Sequence, residues 1–165
     1  MLAKAIAAWD GKATDYLHSI YTQYSGDAEL TPILLTLLSD ASCSDAASWL
    51  LKYHRQHGGS LAPEQLNQLA KHTNQAMPWQ TQLHILQLLK GYTFSERQKQ
   101  YLAPFSRQCI QSNNKFVRAW AYNLLHELSL QFADLQKDAN DIITAAKRDE
   151  APSVKARLRH LAETP

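Results

Sequence analysis

The 165-residue sequence predicts an all-α protein: an α–α superhelix of about four helical hairpins plus N-terminal helices, in one domain spanning 1–165. Three observations lead there. The chain is 45% hydrophobic with only five Gly and six Pro, and those breakers fall between apolar blocks. Within the blocks, apolar residues recur three and four apart, the period of a helix. The blocks also pair through very short turns, and the second helix of each pair starts near 44, 78, 115 and 151, spacings of 34, 37 and 36 residues. A fixed period of one helical hairpin is what a stacked helical array requires, because a lone hairpin cannot bury its apolar face.

Taken in order, a short N-terminal helix precedes "ATDYLHSIYTQY" (13–24). "AELTPILLTLLSD" (28–40) is apolar at Leu30, Ile33, Leu34, Leu37 and Leu38, with Pro32 in the first turn, where a missing N–H costs least. "CSDAASWLLKYHRQHGG" (43–59) offers Ser44 as N-cap and Gly58 as stop. "APEQLNQLAKHTNQ" (62–75) has Pro63 in its first turn, and "MPWQTQLHILQLLKGY" (77–92) ends at Gly91. In "SERQKQYLAPFSRQCIQS" (95–112) Ser95 caps, and Pro104 predicts a kink mid-helix. Helices over about 115–131, 133–150 and 151–163 complete the chain.

The net charge of +2 provides no strong general pull toward nucleic acid, but it is uneven. Residues 1–82 carry five Lys/Arg against seven Asp/Glu, and residues 83–165 carry twelve against eight. Cys43 and Cys109 lie far apart without CxxC spacing and read as reduced, buried thiols of a cytoplasmic protein. "MLAKAIAAWDG" is too short and too weakly apolar for a secretory signal, and no 18-residue apolar run exists, so no membrane association is expected.

On a wheel of 100° per residue, Val117, Trp120, Ala121, Leu124, Leu125 and Leu128 form one apolar arc. Arg118, Tyr122 and His126 form a separate polar line on its flank. The other second helices give Ser44, Ser48 and Lys52; Gln80, His84 and Gln87; and Lys155 and Arg159. Stacked side by side, these stripes predict one band, polar at its N-terminal end and basic at its C-terminal end. The expected partner-binding residues are therefore Arg118, Tyr122, His126, His84, Lys155 and Arg159.

Catalytic motifs are lacking. There is no GxSxG, Walker loop, GxGxxG or HExxH. His54 and His57 share a helix face, but no further ligand follows at metal-site spacing. Cys109 lies near Arg107 in an apolar context that favours burial over activation. No catalytic residue, cofactor or metal is expected.

"SNNKFVRAWAYNLL" (112–125) and "DEAPSVKARLRHL" (149–161) resemble the second half of a HEAT repeat, in which a turn bearing Asp leads into a helix opening with Val-Arg. Asn113 or Asn114 stands where that family has Asp, and Lys155 replaces its Arg. The first hairpin keeps a turn Asp40 but has Ser44 or Asp45 in place of the Arg. The resemblance covers about residues 28–163 and is clearest in the last two hairpins. It implies an armadillo-like solenoid whose Asp and Arg align neighbouring repeats, and a non-catalytic adaptor that takes a protein or peptide on its concave face. A second reading is nucleic-acid binding through the basic C-terminal half, in the manner of alkylpurine DNA glycosylases built from HEAT-like repeats. Arg118, Tyr122, Lys155 and Arg159 would then hold phosphates, although the band carries none of the carboxylate those enzymes need.

Overall fold

The computed structural model describes residues 1–162 and is all-helical among them, in two compact units, Met1–Leu88 and Leu89 onward. The first unit holds α1 (Leu2–Ala7), α2 (Thr14–Tyr24), α3 (Leu30–Leu37), α4 (Ser44–Gln56), α5 (Pro63–His72) and α6 (Trp79–Leu88). The second holds α7 (Glu96–Ile110), α8 (Lys115–Gln131), a 3-10 turn (Ala133–Leu135), α9 (Gln136–Asp149) and α10 (Pro152–Ala162). The helices that open the second half of each pair start at Ser44, Trp79, Lys115 and Pro152, spacings of 35, 36 and 37 residues.

Local chemistry sets most of the helix ends. Ser95 and Gln98 form a capping box on α7: the Gln98 N–H donates to Ser95 Oγ at 3.2 Å, and the Ser95 N–H donates to Gln98 Oε1 at 2.8 Å. Asn114 caps α8 by accepting the Phe116 and Val117 N–H groups at 2.9 and 3.2 Å. Gly58 and Gly91 have φ of +88° and +84°, the left-handed region that lets the chain leave a helix sharply. Ser44 departs from expectation: Cys43 occupies the cap position, and Ser44 is the buried first residue of α4, its Oγ without a hydrogen-bond partner. Asp40 organises the turn instead, accepting the Ser42 N–H at 2.9 Å and its hydroxyl at 2.6 Å. α7 continues as one helix through Pro104, whose side is exposed.

In the first unit α4 packs against α2, α3 and α6, and Leu50 and Leu51 of α4, Leu17 of α2, Leu34 of α3 and Ile85 and Leu86 of α6 are all fully buried. In the second, α8 packs on α7, α9 and α10. Its residues Val117, Ala121, Leu125 and Leu128 are fully buried, as the wheel predicts. Within each unit, side-chain bonds tie one hairpin to the next. Thr31 meets Gln65 and Ser48 meets His84 in the first unit; Lys99 meets Asp134, Arg118 meets Glu150 and Asn123 meets Arg157 in the second, all 32 to 36 residues apart. Among the described residues no helix is long and apolar enough to cross a membrane.

Candidate functional site

Arg118 and Tyr122, one turn apart on α8, lie on a flank that the wheel leaves open and that the α9–α10 turn covers. Arg118 Nε donates to Glu150 Oε1 at 2.9 Å, Nη2 to Glu150 Oε2 at 3.1 Å, and Nη1 to the Ser112 carbonyl at 3.1 Å. The Tyr122 hydroxyl donates to Glu150 Oε1 at 3.0 Å. Tyr122 is only 5% exposed and belongs to the core with Ile143, Ala146, Val154 and Leu158. Burial acts to raise the Glu150 carboxyl, but the hydrogen bonds from Arg118, the Ala151 N–H and Tyr122 hold it below its ordinary value. Burial, then Glu150, push the Tyr122 hydroxyl up, so it stays protonated as a donor. Beside this knot runs an open groove of about 450 Å³, lined by Arg118, Tyr122, Ile142, Ala145, Asp149 and Glu150. A carboxylate therefore does reach the predicted stripe, from the α9–α10 turn, but it is already matched by a guanidinium.

The other predicted residues make none of this knot's hydrogen bonds. His126 is half-buried; its Nε2 is buried without a partner, and burial and then the Lys147 charge lower its pKa. Lys155 is half-buried and Arg159 exposed on α10. His84 belongs to the first unit, where its Nδ1 lies 2.9 Å from Ser48 Oγ and 3.4 Å from Asp45 Oδ1. Burial, then the Lys52 charge, bring its pKa down to about 4. Ser, His and Asp thus meet, but both oxygens approach the same ring nitrogen and Ser48 is fully buried. A nucleophile–base–orienter relay needs the two ring nitrogens used separately.

Wheel reasoning missed a second stripe on α8. At 100° per residue, Phe116, Trp120, Asn123, Glu127 and Leu130 fall within about 80° of each other. Phe116 is 53% exposed and Leu130 57%. The Arg157 guanidinium of α10 lies 3.7 Å from the Trp120 ring centroid and donates to Asn123 Oδ1 at 3.1 Å, while Lys90 Nζ stands 5.9 Å from the same ring. Lys115 sits 5.4 Å from the Phe116 ring. The sequence signal was Trp120, which falls at the edge of the apolar arc and is half-buried.

The first unit carries an aromatic ladder that was also unforeseen. Trp49, Tyr53 and His57 stack along α4, with centroids 4.9 and 3.9 Å apart, and His18 of α2 meets Trp49 and Tyr53 edge-on. His54 and His57 are each engaged, His54 Nδ1 with the Tyr21 hydroxyl at 3.1 Å and His57 Nδ1 with the Tyr53 carbonyl at 2.8 Å. Among the described residues no group of three or more His, Cys, Asp or Glu could hold a metal ion. Burial pushes the Cys109 thiol up to about 12, far from the thiolate a nucleophile needs.

No family model matches the chain, and no curated protein or solved structure matches it.

Proposed function

We propose that this protein is a non-catalytic binding module of HEAT-like hairpins, an adaptor that takes a protein or peptide partner on the outer stripe of α8. The observation that carries this reading is Phe116, 53% exposed on the same stripe as the Arg157-capped Trp120 ring. Aromatic and Arg side chains dominate binding energy at protein interfaces, and Phe116 shares its stripe with a second exposed apolar side chain, Leu130, 57% exposed. The HEAT-like reading is supported by helix starts 35 to 37 residues apart and by side-chain bonds that recur at that separation. Arg118 and Tyr122 serve in it as the tie between hairpins, not as anchors for the partner. Capture of partners from lysate should be lost with Phe116→Ala plus Arg157→Ala while the helical spectrum is unchanged. Equal capture by the variant removes the α8 stripe from consideration.

The second reading is nucleic-acid binding, and it has its own observation: Arg157 and Lys90 flank Trp120 in the unit that also carries Lys115, Lys155 and Arg159. It requires anisotropy of a labelled duplex to fall steeply with salt, with a slope near −0.9 per phosphate contacted. Base excision fits poorly, because Glu150 is neutralised by Arg118 and so cannot stabilise a sugar cation.

A further inference from the structure

In the first unit, α3 and α5 are tied near their starts and open near their ends. Gln65 Nε2 donates to Thr31 Oγ1 at 3.0 Å. Toward the C-terminal ends the two helices leave a groove of about 340 Å³, lined by the buried Leu35 and by Thr36, Ser39, Gln68, Lys71, His72 and Gln75.

What this groove has left to offer is donors. Thr36 Oγ1 is committed to the Pro32 carbonyl at 3.0 Å. Among the described residues, the side chains of Ser39, Gln68, Lys71, His72 and Gln75 make no hydrogen bond or ion pair. His72 is only 9% exposed, and its Nε2 is buried without a partner, a state that folds rarely tolerate. The backbone oxygens that a cation would seek are already taken. The Thr36 and Leu37 carbonyls accept the Ser39 and Asp40 N–H groups at 3.3 and 3.1 Å. Those of Ala70, Lys71 and His72 accept the N–H groups of Thr73, Asn74 and Gln75 at 3.1, 3.2 and 3.0 Å. No carboxylate lines the groove, and Asp40, next to Ser39, is held in its own turn by Ser42.

We infer that the α3–α5 groove binds the phosphate group of a small phosphorylated molecule. One ammonium and four neutral donors, drawn from two helices and the turns that end them, outnumber the roughly four acceptor sites of a planar carboxylate. A phosphate presents three strong acceptor oxygens in a tetrahedral array, which suits donors arriving from several directions. The volume leaves room beside the phosphate for a short organic body, with Leu35 as an apolar wall. The site lies in the first unit and stands apart from the α8 stripe.

The full chain, labelled with ¹⁵N, is titrated at neutral pH and constant ionic strength with inorganic phosphate, glycerol phosphate and acetate. Both phosphates should give saturable amide shifts centred on Ser39 and on Lys71 to Gln75, with glycerol phosphate the tighter and acetate about tenfold weaker than phosphate. Lys71→Ala removes the one charge-assisted bond and should weaken phosphate about tenfold. Gln68→Ala with Gln75→Ala should weaken it about threefold or more. These three positions are exposed, so the variants keep the fold where His72→Gln disturbs the packing of α5. Shifts that never saturate, or that spread over lysines and arginines of the whole chain, mean an adventitious ion only and overturn the site. Acetate binding as tightly as phosphate overturns the phosphate assignment, and so does an affinity unmoved by Lys71→Ala. Saturable shifts centred on Phe116 and Trp120 overturn it in favour of the α8 stripe. None of these failures touches the binding-module reading, which rests on partner capture through Phe116 and Arg157.

Discussion

The two units contain the same device in opposite states of completion. In each, a polar stripe on a second helix meets a residue one hairpin on: Ser48 meets His84 in the first unit, and Arg118 meets Glu150 in the second. The second-unit cluster is closed. Its carboxylate takes bonds from Arg118, Tyr122 and a backbone N–H, and the ion pair is 20% and 12% exposed. The first-unit cluster is left short. Asp45 Oδ1 lies 3.4 Å from His84 yet accepts no hydrogen bond, and Ser44 Oγ is buried beside it without a partner. Burial raises the Asp45 carboxyl and lowers Lys52 and His84, the behaviour of charges that burial penalises and their neighbours do not compensate. The same stripe thus stabilises where a bidentate pair closes it and costs stability where mismatched groups share it.

The largest break in that comparison comes from Arg118→Ala. It strands a mostly buried carboxylate, and urea unfolding should show a loss of about 2–3 kcal/mol, below the full cost of breaking a wholly buried pair because Arg118 keeps some solvent. An unchanged midpoint would mean that Glu150 turns out to water at no cost.

Acid sharpens it next. His84 titrates near 4 when folded and near 6.5 when unfolded, so the unfolded chain binds the proton first. Its contribution is fully present above about pH 6.5 and is lost as pH falls toward 4. Asp45, raised by burial, runs the other way and blunts the drop. His54, His72 and His126, lowered mainly by burial, add to the fall. The difference between wild type and His84→Gln isolates the one residue: the variant should lose about 2 kcal/mol less of its stability over this window. Parallel pH curves would refute that assignment.

Tyr122→Phe removes one donor from Glu150 while Arg118 still holds it, and should cost about 1 kcal/mol. Ser44→Ala should do the reverse in the first unit. Deleting an unpartnered buried hydroxyl at a helix start stabilises by about 0.5 kcal/mol, and a measured loss would show that the hydroxyl has a partner in solution. Smallest of all, Lys137→Ala breaks only an exposed pair, 91% and 68% open, and should move the midpoint by less than about 0.5 kcal/mol.

Helix positions were largely legible because apolar spacing and breakers are local. Ser95, Gly58 and Pro63 did what their chemistry required. Ser44 did not, since a cap must leave its hydroxyl over the first turn and Ser44 is drawn instead into the packing of α4. Arg118, Tyr122 and His84 were read as outward-facing because a wheel tells which residues avoid a helix's own core. It cannot tell which flank the next hairpin will cover. Glu150 carries no local signal of its role, because the bond that makes it matter spans 32 residues. The Trp49–Tyr53–His57 ladder stands in the sequence at four-residue intervals, while the edge-on contacts of His18 come from another helix and have no local signal.

The uniform separation of the ties has a consequence for how each unit reaches its native state. Ties such as Thr31–Gln65, Lys99–Asp134 and Asn123–Arg157 each close a loop of about one hairpin, 34 or 35 residues, with none of these bridging the ends of a unit. Loop-closure entropy is therefore paid in near-equal small instalments, and a hairpin can dock as soon as the one before it is in place. Such a chain has low contact order, so refolding should be fast for its length and should proceed by accretion, one hairpin onto the next.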